Sequence, residues 1–199
     1  TACDGDASRC PAGTHTVEGS TSCPSCESGT ADLDGDPATA CVDCTAGRFS
    51  AEQSASCDAC AAGQADLDQR ADTVCTTCVA GRFSGLESTS CIECSAGKYL
   101  EGTGSDEASD CIDCAAGKYV TATGSDEASD CIDCIAGQYL DSTGNDEVSD
   151  CIACAAGRYG VSAGQQAFGG CIDCLAGTYV EGTGSDEASD CIECIAGTF

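Results

Sequence analysis

Apolar residues in this chain show no helical spacing; they recur instead at fixed distances from cysteine. In the stretch from Cys114 to Cys134, the first cysteine is followed three residues later by Gly117 and five later by Tyr119. A polar run of Thr, Gly, Ser, Asp and Glu comes next, and a Cys-x-x-Cys pair, Cys131 and Cys134 with Ile132 inside it, closes one copy while opening the next. Such a pattern predicts strands of two to four residues at each Gly-x-aromatic segment and irregular loops between them. The whole chain is a variant of this unit, so the repeat decides the fold.

The paired cysteines stand at 23/26, 41/44, 57/60, 75/78, 91/94, 111/114, 131/134, 151/154, 171/174 and 191/194. A glycine follows the second cysteine at the same distance in eleven copies, from Gly13 to Gly197, which points to positive φ or a close backbone approach. The aromatic slot holds Phe49, Phe83, Tyr99, Tyr119, Tyr139, Tyr159, Tyr179 and Phe199, each ring expected to pack over a neighbouring disulfide. His15, Ala31 and Ala65 occupy that slot in the remaining copies, and His15 is read as a packing residue. Steps between pairs alternate between 18 and 16 residues and then settle at 20. The expected organisation is therefore the end of a preceding repeat over 1–9, five repeats of alternating length over 10–93, five 20-residue repeats over 94–193, and the start of another over 194–199.

Composition sharpens this. The 199 residues include 22 Cys but only 5 Tyr, 4 Phe and no Trp or Met, so no single large core can form. Cross-links must shrink the unfolded ensemble instead, and closing a loop of about 15 residues is worth roughly 3 kcal/mol. Disulfides persist in oxidising compartments, which places the chain outside the cytosol, extracellular or on a cell surface. The fold class expected is a small disulfide-rich repeat protein, an elongated linear solenoid of short β-hairpin-like modules with little regular secondary structure and no helix. At about 10–15 Å per module it would be a rod on the order of 100–150 Å long. The absence of Met and the position of both ends inside a repeat lead us to expect a section of a longer array.

Three disulfide registers are open to such spacing. Bonds within a pair would staple nothing distant, and first-to-first with second-to-second bonds would interlock adjacent loops. Bonding the second cysteine of one pair to the first of the next closes a loop around each turn, and is preferred. It joins Cys10 to Cys23, Cys26 to Cys41, Cys44 to Cys57, Cys60 to Cys75, Cys78 to Cys91, Cys94 to Cys111, Cys114 to Cys131, Cys134 to Cys151, Cys154 to Cys171 and Cys174 to Cys191. Cys3 and Cys194 are left for inter-repeat or inter-subunit bonds. Zinc is the rival reading of the paired cysteines, but ribbon knuckles pair two by two, whereas the late copies are evenly spaced.

The motif Cys-x-x-Gly-x-Tyr/Phe, about a dozen residues and then Cys-x-x-Cys resembles the cysteine-rich repeats of ephrin-receptor and tumour-necrosis-factor-receptor ectodomains. In its uniform tandem copies it resembles arrays in large secreted surface proteins of microbial eukaryotes. The resemblance implies an elongated extracellular rod with one disulfide per module.

A net charge of −27 makes nucleic acid or an anionic membrane an unfavourable partner and divalent cations a natural one. Asp32, Asp34 and Asp36, alternating around Gly35, are the candidate calcium ligands, with a solvated acidic turn as the alternative. No other cofactor is expected. Arg48, Arg82, Lys98, Lys118 and Arg158 each precede the aromatic and are expected to meet acids of an adjacent repeat. No apolar run is long enough to span a membrane. Asn145 lacks a glycosylation sequon, while the Ser- and Thr-rich loops leave O-glycosylation open.

One copy breaks the pattern: Gly164–Ile172 reads GQQAFGGCI where others read GSDEASDCI, losing every acid and gaining Phe168, the candidate contact residue. No nucleophile, base or cofactor loop emerges, so no enzymatic activity is expected. The function expected is structural: an extracellular segment or subunit of a surface fibre, self-associating or continuing the array, with glycans or other surface proteins as further partners. The alternative is a ligand-binding or adhesive ectodomain stalk.

Overall fold

The computed structural model describes residues 10–16 and 22–195. Cys3, Gly197 and Phe199 lie outside the described residues. The strands are β1 (Thr30–Ala31), β2 (Val42–Asp43), β3 (Arg48–Phe49), β4 (Asp58–Ala59), β5 (Gln64–Ala65), β6 (Thr76–Thr77), β7 (Arg82–Phe83), β8 (Ile92–Glu93), β9 (Lys98–Tyr99) and β10 (Ile112–Asp113), followed by β11 (Lys118–Tyr119), β12 (Ile132–Asp133), β13 (Gln138–Tyr139), β14 (Ile152–Ala153), β15 (Arg158–Tyr159), β16 (Ile172–Asp173), β17 (Thr178–Tyr179) and β18 (Ile192–Glu193). Consecutive strands pair into nine two-stranded sheets. There is no α-helix among the described residues, only three-residue 3-10 turns in the later modules, such as Ala128–Asp130. Among the described residues ten disulfides are formed, Cys10–Cys23 and then the second cysteine of each pair to the first of the next, through Cys174–Cys191. The protein is a small disulfide-rich repeat protein. Its chain divides into two compact units, Thr1–Ile92 with Thr103–Ala108, and Glu93–Gly102 with Ser109–Phe199.

In the second unit the module Cys114–Cys131 shows how sequence becomes structure. Gly117 has φ +84°, and the Lys118 N–H donates to the Ala115 carbonyl at 3.1 Å, which is the type II turn that requires positive φ at its third residue. Its chain then enters β11, pairs with β12 in the register Lys118 opposite Asp133 and Tyr119 opposite Ile132, and is closed by the Cys134 N–H donating to the Gly117 carbonyl at 2.9 Å. Between the strands the polar loop turns at Gly124, φ +69°. Its acids then serve their own backbone: Asp130 Oδ2 accepts the N–H groups of Asp126 and Glu127, and Ser129 Oγ donates to Glu127.

Modules are joined by a repeated set of backbone bonds. Gly97 N–H donates to the Val120 carbonyl at 2.8 Å, Leu100 N–H to Ser125 at 3.0 Å, and Gly124 N–H to Cys94 at 2.8 Å. The next interface carries the same three, from Gly117 to Leu140, Val120 to Asn145, and Gly144 to Cys114. Each is worth roughly 0.5–1.5 kcal/mol net. The aromatic strand also makes a parallel bridge to the following loop, Tyr99 with Ser125 and Tyr119 with Asn145. Contact reaches two modules ahead as well. A Cβ on Gly117 would stand 2.3 Å from the Gly164 carbonyl oxygen, and one on Gly97 would stand 2.2 Å from that of Gly144. The first unit uses the same device, Gly47 facing the Glu87 carbonyl and Gly13 that of Gln53. There the loop corner is taken by Gln53, Gln69 and Glu87 at positive φ.

Small clusters replace a core. Val120 packs with Cys114 and Cys131 beneath Tyr99, and Leu140 packs with Cys134 and Cys151 beneath Tyr119. Each ring therefore covers the disulfide of the following module. The isoleucines inside the cysteine pairs contribute less, since Ile112, Ile132 and Ile152 are about half exposed. Where the first unit has serine at the buried position after the aromatic, the hydroxyl is satisfied: Ser50 Oγ donates to the Thr30 carbonyl and Ser84 Oγ to that of Gln64, both at 2.9 Å.

Gly117→Ala is expected to cost more than about 2 kcal/mol, because left-handed strain of about 1–2 kcal/mol is joined by collision with the Gly164 carbonyl. Gly35→Ala, at φ +66° with open space around its missing Cβ, should cost only the strain. Equal losses in denaturant unfolding of the two variants would contradict the close inter-module approach.

Candidate functional site

The cross-strand position next to the aromatic carries most of the chain's cations. Lys118 Nζ meets Asp133 at 2.8 Å and Arg158 Nε meets Asp173 at 2.7 Å, while Lys98 pairs with Asp113. These acids lie inside the cysteine pair of the same hairpin rather than in an adjacent repeat, because antiparallel register sets the two positions opposite each other. Arg48 alone of the pairs described reaches further, to Glu87. Where the cation is lost at Gln138, the facing residue is the neutral Ala153. The last hairpin departs from this, with Thr178 facing Glu193. Exposed pairs of this kind are worth at most about 1 kcal/mol each.

The three aspartates proposed as calcium ligands are drawn into their own turn. Asp32 is buried, Asp34 Oδ1 accepts the Asp36 N–H at 3.0 Å and the Thr39 hydroxyl, and Asp36 Oδ1 accepts the Ala38 N–H at 2.9 Å. Among the described residues no cluster of three or more His, Cys, Asp or Glu is arranged around a metal position. Bonding to the Asp36 amide, then to Thr39, holds the Asp34 carboxyl below its ordinary pKa. At the equivalent of Asp32 in the later Asp-rich copy, buried Asp66 accepts the Gly47 N–H and the Arg70 N–H, so that acid substitutes for an inter-module carbonyl. His15 Nδ1 lies 3.5 Å from Cys41 Sγ, packed on a disulfide like the rings it replaces. Cys194 is a partly buried free thiol.

The strongest local departure is the module Cys154–Cys171. Phe168 stands at the first residue of its 3-10 turn, where Ala108, Ala128, Val148 and Ala188 stand elsewhere. Its ring meets Tyr139 edge to face at 5.8 Å between centroids and 71° between planes, and the Arg158 guanidinium lies 4.3 Å from the ring centroid. Even so, Phe168 remains 47% exposed. In the following module the same place is a small cavity of about 90 Å³ lined by Tyr159, Leu175, Thr178, Ala188 and Cys191. Three other substitutions in the module are linked. Gly160 replaces the buried Leu or Val, Gln165 Nε2 would lie 3.1 Å from a Cβ at Gly160, and a Cβ at Gly170 would collide with Gln165 Oε1. Gln165 thus fills the space that the glycine leaves. Sequence reasoning singled out Phe168 but not this coupling, whose only signal was Gly160 where the other 20-residue repeats carry Leu or Val.

These are extracellular-type cysteine-rich modules. A family model described as tyrosine-protein kinase ephrin type A/B receptor-like matches residues 81–131 and 137–191, more than half of the chain. The chain belongs to this ephrin-receptor-like family. No curated protein matches it. No helix among the described residues is long and apolar enough to cross a membrane.

Because Asp34 is stabilised as the carboxylate in the folded turn, its contribution is complete above the ordinary carboxylate pKa and is lost as pH falls through the depressed folded value. A carboxyl titration followed by NMR should place the Asp34 midpoint below the ordinary aspartate value, with the Asp36 amide that it accepts shifting in step. A midpoint at or above the ordinary value would contradict the turn geometry.

Proposed function

We propose that this chain is a structural extracellular protein, a segment or subunit of a cell-surface fibre or filament, without catalytic activity. The observation that carries the reading is the uniformity of the inter-module bonding, with one set of backbone bonds serving successive interfaces and one disulfide short-circuiting each loop. Tension applied along such a chain passes through each disulfide rather than around the loop it closes. The bonded cysteines of each later loop are 17 positions apart in sequence, about 60 Å of extended chain that the cross-link withholds from stretching. A second reading, an ectodomain stalk in which one module makes an adhesive contact, draws support from the exposed Phe168.

Electron micrographs of native, non-reduced material separate the two: regular fibres agree with the structural reading, and isolated molecules that never assemble contradict it. Single-molecule stretching is a second check. Without reductant the late modules should extend little beyond their folded length, and with reductant each should release about 60 Å more. Equal extension under both conditions would remove the load-bearing role.

A further inference from the structure

Between Asp150 and Asp173 the only charged residue is Arg158, in a chain whose net charge is −27. Other late loops each carry acids at the positions of Asp126, Glu127 and Asp130, whereas this module has Gln166, Ala167 and Gly170 there. The neutral hairpin pair Gln138 and Ala153 adjoins it, and Arg158 is itself ion-paired with Asp173. The three loop acids are therefore missing beside one exposed apolar group, and the acid nearest to it in sequence, Asp173, is neutralised by Arg158. Ile152 is 44% exposed and pairs across the hairpin with Tyr139, whose ring meets Phe168 beside the Arg158 guanidinium. Tyr, Phe and Arg with acids depleted is the composition of a protein–protein contact centre.

We infer that this face, centred on Phe168, is a self-association surface that meets the same face of a second copy of the chain. Two copies carrying like charge repel wherever their acidic loops approach, and this module is where that repulsion is lowest. A face that meets the same face of a second copy makes an isologous contact, which pairs two copies and closes instead of propagating. Because it gives a fibre segment a lateral neighbour, the inference rests on the structural reading above, but its test does not depend on native fibres.

The test is the solution mass of the purified, disulfide-intact chain carrying Cys3→Ser and Cys194→Ser, so that no intermolecular disulfide contributes, measured by sedimentation over a range of concentration and salt. The expected result is a concentration-dependent dimer that tightens as salt rises, since salt screens the overall repulsion while leaving an apolar contact in place. Phe168→Ala should weaken dimerisation by about tenfold or more. A second variant transfers seven residues of the Cys114–Cys131 module into this one, with Gly160→Val, Gln165→Ser, Gln166→Asp, Ala167→Glu, Phe168→Ala, Gly169→Ser and Gly170→Asp. Those seven stand together in a folded module of this chain, and the variant should be monomeric with an unchanged circular dichroism spectrum. A parent chain that stays monomeric throughout, a dimer that survives the transfer, or one that weakens with salt would each overturn the inference. Native fibres together with a monomeric parent would overturn the lateral contact and leave the structural reading standing.

Discussion

In the second unit the disulfides Cys114–Cys131 and Cys134–Cys151 are each packed by an apolar residue of their own module and by the aromatic ring of the module before it. Tyr99 lies over Cys114, Val120 and Cys131, and Tyr119 over Cys134, Leu140 and Cys151. A chain so poor in large apolar residues cannot bury a ring and a sulfur pair separately in every module; sharing them across the boundary makes one small cluster serve two modules. The stack follows from that economy. Once the ring sits on the next disulfide, the backbone strand carrying it lies against the next loop, and the parallel bridge and three inter-module hydrogen bonds can form.

Glycine is what lets the backbones come this close. At Gly97, Gly117 and Gly137 the missing Cβ is where the carbonyl of a loop corner two modules ahead is seated. Stability in a repeat array is commonly a sum of nearest-neighbour terms. Here the second neighbour enters too, so a change at one glycine is felt in a module that shares no covalent loop with it. Several acidic side chains, by contrast, serve their own loop, Asp130 capping its own 3-10 turn and Asp34 its own Asp-rich turn, while Asp66 and Glu87 reach across module boundaries.

Much of this was legible in the sequence. The fixed distances from cysteine to glycine to aromatic defined the modules and their short strands, because the cysteine and glycine recur in every copy and the slot after them is aromatic in most. The buried position after the aromatic was not legible, since Leu100, Val120 and Leu140 share it with Ser50, Ser84 and Asp66, and a column mixing apolar and polar residues hides its burial. Nor was the reach to the second neighbour, which depends on a positive φ held by Gln53 or Glu87 in some loops and by glycine in others. The cations are expected to meet acids of an adjacent repeat, whereas hairpin register sets the partners of Lys98, Lys118 and Arg158 across the same strand pair and Arg48 reaches Glu87 in another repeat. At the atypical module, Phe168 announced itself by type alone, and the accompanying exchange of Gly160, Gln165 and Gly170 needed coordinates to be seen.

Amide hydrogen exchange on the disulfide-intact chain tests most directly whether the modules of the second unit are stacked on one another. Stacking predicts that the inter-module amides of Gly117, Val120 and Gly144 are protected to the same degree as the Cys134 amide, which closes a hairpin within one module. Protection at Cys134 with free exchange at the other three would contradict the account, because the modules would then be separately stapled loops joined only through their cysteine pairs.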